Sequence, residues 1–93
     1  MSHDKTVVIL KSLADEIRLS IVRQLARQGC EAASADITSS CAKALELSQP
    51  TMSHHFRKLV QAGVLLERKS GTEKYYQINR DLLAGAGIDP TKL

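Results

Sequence analysis

The stretch Ser48-Gln49-Pro50-Thr51-Met52-Ser53-His54-His55-Phe56-Arg57-Lys58-Leu59-Val60-Gln61-Ala62-Gly63 decides how the chain folds. It reads as a helix with both ends marked. Ser48 is suited to the N-cap, where its hydroxyl accepts from a first-turn N–H. Pro50 falls in the first turn, where a missing N–H costs nothing. Gly63 stands where a left-handed residue commonly closes a helix. Winding the stretch at about 100° per residue separates two faces. Met52, Phe56, Leu59 and Gly63 share a narrow arc; Pro50, Thr51, His54, Arg57, Lys58 and Gln61 lie on the far side. The apolar arc anchors the helix. The other arc offers hydrogen-bonding groups near an N-terminus that attracts anions, and two cations further on. That suits a helix set end-on against a phosphate-lined groove, although a plain amphipathic helix with a solvated face would share the pattern.

The flanking residues favour the groove reading. Before the stretch, Thr38 or Ser39 can cap a short helix through Glu46, with Cys41, Ala42, Ala44 and Leu45 as its apolar side. Two short helices joined by the tight turn at Leu47 and Ser48 make a helix-turn-helix over 38–63, the second helix being the recognition helix. After Gly63 the period changes to that of strands. Val64–Lys69 and Lys74–Ile78 flank the turn Ser70-Gly71-Thr72-Glu73 and predict a β-hairpin over 64–79. Arg68, Lys69 and Lys74 gather near its tip. A hairpin in this position is a wing, whose cations can reach phosphates or the adjacent minor groove.

Toward the N-terminus, residues 4–14 predict a helix. Val7, Val8, Ile9 and Leu10 are more apolar surface than one helix face needs, which points to a second subunit. Asp15 is suited to cap a helix running to Gln28 and ended by Gly29. Its apolar residues cover an arc of about 200°, the pattern of a central helix. Arg18 lies within that arc and needs a partner, with Asp15 the local candidate. Residues 30–37 form a small-residue connection with a short strand at 35–37. Near the C-terminus, Asp81 starts a brief helix over 80–86, and Gly85, Gly87 and Pro90 predict a loose tail.

Composition narrows the function. Ninety-three residues suffice for a single domain, and one Phe, two Tyr and no Trp predict an aliphatic core. The net charge of +3 lies wholly within residues 48–80, where six cations face only Glu67 and Glu73. Such a local basic footprint fits a polyanionic partner. The polar first residues lack the apolar core of an export signal, and no apolar run reaches membrane-spanning length, which together predict a cytoplasmic protein with no membrane role. Two cysteines in that setting are free thiols by default. No catalytic constellation or phosphate-binding loop can be assembled, so no enzyme is expected. Asp15-Glu16 sits at a helix start, where acidic residues are expected.

The strings ILKSLADEIRLSIVRQLA, LELSQPTMSHHFRKLVQAGVL and KSGTEKYYQI, in this order, resemble the ArsR/SmtB family of bacterial winged-helix transcriptional regulators over about residues 5–83. The resemblance implies a winged helix-turn-helix, mainly α with a β-hairpin wing, acting as a homodimeric repressor on a palindromic operator in double-stranded DNA. It implies dimer contacts over 4–14 and 81–93. Ser48, Gln49, Thr51, Ser53 and His54 would lie at bases or nearby phosphates. Arg57, Lys58, Arg68, Lys69 and Lys74 would mainly meet phosphates. His55, at the border of the apolar arc, takes a packing role. Many relatives sense metal through a Cys-x-Cys pair, but Ile37 and Ser39 stand at the corresponding positions. His54 and His55 are adjacent and point apart, so no metal site or cofactor is expected; only His3, Asp4 and Cys30 remain as scattered ligand types. Two other readings stay open: a thiol-based redox or sulfur sensor using Cys30 and Cys41, and a winged-helix module that contacts proteins alone.

Overall fold

The first two helices both start at aspartates. A computed structural model describes residues 4–28, 32–33 and 49–93, with the backbone alone at 32–33 and 49–50. Asp4 caps helix α1 (Lys5–Leu13): its Oδ1 accepts from the Thr6 N–H at 2.8 Å. Asp15 caps helix α2 (Glu16–Gln28), its Oδ2 accepting from the N–H groups of Ile17 and Arg18, each at 3.0 Å. These carboxylates satisfy first-turn donors that the helix itself leaves unpaired. In α1 only Ile9 and Leu13 of the large apolar residues turn inward, while Val7, Val8 and Leu10 stay exposed. In α2, Ile21, Val22 and Leu25 are buried. As its wide apolar arc predicts, α2 is central, touching α1, the next helix, the sheet and the C-terminal turn.

Helix α3 (Gln49–Gln61) buries Met52, Phe56 and Leu59, the predicted arc. It ends in a Schellman motif. Gly63 adopts φ +83°, its N–H donates to the Val60 carbonyl, and the Val64 N–H donates to the Leu59 carbonyl, each at 3.0 Å. The chain then enters strand β2 (Leu65–Ser70) and returns as β3 (Glu73–Ile78). Gly71, at φ +61°, supplies the left-handed residue of the two-residue connection. A strand β1 (Ala32–Ala33) pairs antiparallel with the other edge of β3, so the sheet order is β1-β3-β2. The core is one largely aliphatic cluster drawn from α1, α2, α3, the sheet and, through Leu83, the last helix, with Phe56 and Tyr76 as its rings.

Several expectations change. The strand found lies at Ala32–Ala33; residues 35–37 lie outside the described set, as do the helix read over 38–46, its turn and Ser48. The last helix, α4 (Arg80–Gly85), is capped by Asn79 rather than Asp81. Asn79 Oδ1 accepts from the Leu82 N–H at 3.3 Å while its Nδ2 donates to the Gly63 carbonyl at 3.0 Å. One side chain thus joins the end of α3 to the start of α4. The tail is not loose. Gly87 (φ +76°) closes a second Schellman motif, and the chain turns back so that a 3-10 turn (Pro90–Lys92), capped by Asp89, packs on α2 with Pro90 buried. The glycine and proline that break helical periodicity build this reversal, with Ile88 packed against the core.

Candidate nucleic-acid interface

The outward face of α3 is polar along its described length. Ser53, His54, Arg57, Lys58 and Gln61 are exposed and Thr51 is half-buried. Gln49 opens the helix, and its side chain, like Ser48, lies outside the described set. His55 turns the other way: it is 8% exposed, as expected for a packing residue.

A polar network holds α3 at this angle. The Arg18 guanidinium donates through Nε to the Ser12 carbonyl, at the end of α1, and its Nη1 lies 3.2 Å from His55 Nδ1. Arginine can only donate, so this contact is a hydrogen bond when His55 Nδ1 accepts, in the neutral imidazole that carries its proton on Nε2. Asp15 Oδ2 stands 3.6 Å from the same Nδ1. Burial lowers the His55 pKa and Arg18 adds to that, against the opposing pull of Asp15. Burial tends to raise the Asp15 carboxyl, yet the Arg18 N–H and guanidinium leave it below its ordinary value. Arg18 is therefore a joint between helices. Its side-chain partners are the Ser12 carbonyl and His55, with Asp15 bonded to its backbone N–H.

The wing is fixed against α3 by aromatic packing. Phe56 and Tyr76 stack with centroids 4.5 Å apart and planes 9° from parallel. Burial, and secondarily Glu67, push the Tyr76 phenol up to about 12. Strand register sorts the wing side chains. Lys69 pairs with Lys74, and Glu67 with Tyr76, on the side that carries buried Leu65 and Ile78. Arg68 pairs with Tyr75 on the opposite side, its guanidinium carbon 4.5 Å from the ring centroid. The three wing cations thus divide between two faces rather than forming one cluster. Between α3 and the wing lies a recess of about 170 Å³ lined by Ser53, Arg57, Gln61, Glu67, Lys74 and Tyr76, among others. The sequence shows Glu67 only as one of two acids among the cations, with no place at the interface, and gives no sign of the Phe56–Tyr76 stack; alternation from buried Leu65 puts Glu67 on the inner side.

Cys30 and Cys41 lie outside the described residues, as does His3. Among the described residues no group of three or more His, Cys, Asp and Glu could hold a metal ion. No described helix is long and apolar enough to cross a membrane.

A polar helix face beside a cationic hairpin is the arrangement of a winged helix-turn-helix, and comparison with known proteins agrees. A family model described as a helix-turn-helix domain matches residues 13–68. The chain is 36% identical over 75 residues to the arsenic resistance transcriptional regulator ArsR1 of Pseudomonas putida, covering 81% of this chain but 55% of that protein. It is 36% identical over 84 residues to the arsenical resistance operon repressor of Staphylococcus aureus, covering 89% of this chain and 74% of the relative. Among solved structures, it is similar to the homodimeric winged helix-turn-helix DNA-binding domain of a possible ArsR-family transcriptional regulator from Mycobacterium bovis. There the TM-score is 0.70 at 29% identity, over 90% of this chain and 73% of the other. The chain belongs to the ArsR family of winged helix-turn-helix transcriptional regulators.

Proposed function

We propose that the chain is a homodimeric repressor that binds a palindromic operator through α3 and the wing. The observation that carries this reading is the outward face of α3, polar and cationic, lying beside a wing with Lys69 and Lys74 on the same side. Ser48, Gln49, Thr51, Ser53 and His54 would read bases or nearby phosphates; Arg57, Lys58, Arg68, Lys69 and Lys74 would bind phosphates. Residues 1–93 would act as one domain. It binds and does no chemistry, and it works in the cytoplasm, where its operator is.

The dimer reading is supported by Val7, Val8 and Leu10, which are 45%, 39% and 51% exposed on one short helix. A recess of about 220 Å³ between α1 and α4 is lined in part by Ile9, Leu82 and Ala86. The Mycobacterium bovis relative is homodimeric. Two recognition helices would then sit about 34–36 Å apart, one turn of DNA. Two relatives are named for arsenic or arsenical resistance; Ile37 and Ser39 stand in this chain where many relatives carry a Cys-x-Cys pair, and oxidation of Cys30 and Cys41 is the second reading of how the repressor is released.

Binding titrations on operator and mixed-sequence duplex, over a range of salt, test the proposal. Gln49→Ala and Ser53→Ala should lower operator preference, while Lys69→Ala weakens both duplexes alike. Equal loss on both duplexes for Gln49→Ala would contradict base reading.

A further inference from the structure

One group in the recess between α3 and the wing has the opposite charge to its setting. Residues 48–80 contain six cations and two carboxylates, Glu67 and Glu73. Strand register sends the two acids to opposite faces: Glu67 shares its side with Lys69, Lys74 and Tyr76, and Glu73 shares its side with Arg68 and Tyr75. Glu67 is therefore the carboxylate that lines the recess, with Ser53, Arg57 and Gln61 of α3 across from it. Its Oε1 lies 3.5 Å from Lys74 Nζ.

The Lys74 side chain is 50% exposed and that of Glu67 32%, and a solvent-screened pair of this kind contributes at most about 1 kcal/mol to stability. Its effect on a polyanion is larger in kind. Phosphate binding draws on uncompensated cations, since each one displaces a condensed counterion. A Lys74 already facing a carboxylate gives less, and the carboxylate repels every phosphate that approaches, whatever the base sequence. Arg57, on α3 across the recess, and Lys69, on the wing, keep the local field positive. Lys69 and Lys74 also face each other directly in register, a like-charge pair that Glu67 relieves.

We propose that Glu67 is a brake on phosphate binding: it holds Lys74 on the wing and makes this lysine a latent phosphate contact. The inference rests on the DNA-binding reading above and concerns one carboxylate within it. It adds a residue that acts against affinity, and it ranks Lys74 below Lys69 as a phosphate ligand in the wild-type chain.

The test uses the full chain and a mixed-sequence duplex between about 50 and 200 mM salt, the range over which phosphate-driven binding falls steeply. Glu67→Gln keeps size and removes charge. It should tighten binding roughly three- to tenfold at the low-salt end and steepen the log–log salt slope by up to about 0.9 per protomer. Lys74→Gln should weaken binding more in the Glu67→Gln background than in the wild type. Unchanged affinity in Glu67→Gln, or an equal Lys74→Gln loss in both backgrounds, would overturn the brake. Weaker binding by Glu67→Gln would also overturn it, making Glu67 a direct contact such as an acceptor for a cytosine amino group. Failure of the wild type to bind duplex at low salt would instead sink the interface itself, and this inference with it.

Discussion

Phe56 on α3 lies flat against Tyr76 on β3, 4.5 Å from centroid to centroid, and this contact sets the distance between the helix face and the wing. Both rings are buried, at 3% and 4% exposure, in a core otherwise built of aliphatic side chains and Met52. Tyr76→Ala should therefore cost about 3 kcal/mol, the lower range for emptying an aromatic site, with part of the loss coming from the stack. Urea unfolding should show a lower midpoint with an unchanged slope. A midpoint within error of the wild type would mean that the wing is held by other contacts.

The Arg18–His55 contact gives a pH dependence. Burial and Arg18 lower the folded-state pKa of His55 below its ordinary 6.5. The unfolded chain then takes up the proton first, so stability is level above about 6.5 and declines as pH falls below it, until the folded state also protonates. Asp15, whose pKa is lowered from 3.8, adds a separate loss at still lower pH. Melting temperatures across about pH 5 to 8 should fall on the acid side in the wild type. His55→Gln keeps an acceptor for Arg18 without titrating, and should flatten that decline. An unaltered slope in His55→Gln would assign the dependence elsewhere.

Two glycines with similar backbone angles separate strain from crowding. A Cβ on Gly63 (φ +83°) would stand 3.0 Å from Leu82 Cδ2, whereas one on Gly87 (φ +76°) would meet nothing within 4 Å. Gly87→Ala should cost about 1 kcal/mol for the left-handed backbone alone. Gly63→Ala should cost more, roughly 1–2 kcal/mol, because the α4 leucine must also move. Equal losses in thermal unfolding would show that Leu82 adapts freely.

Local chemistry explains which parts were legible in the sequence. The α3 faces, the Gly63 stop, the Gly71 turn and the Asp15 cap each depend on residues within a few positions of one another, so spacing and side-chain type reveal them. What was missed depends on distant partners. Asn79 outcompetes Asp81 as a cap because its amide also reaches the Gly63 carbonyl, 16 positions earlier. Arg18 meets His55 across 37 positions, which a search for a nearby carboxylate does not find. A two-residue strand of alanines carries no alternation and exists through its pairing with Tyr75 and Tyr76. Pro90 looks like a breaker in isolation, and only the reversal at Gly87 brings it onto α2. In the interface, residue types revealed the cations but not their division between wing faces, which register alone decides.

In the proposed complex the exposed side of α3 and the inner side of the wing meet duplex DNA together. Amide chemical-shift mapping of the folded chain, titrated with duplex at low salt, tests this joint contact most directly. The largest shifts should fall on Thr51, Ser53, His54, Arg57, Lys58 and Lys69, while Val7, Val8 and Leu10 stay unchanged. Shifts concentrated on α1, or on α3 with the wing silent, would contradict it.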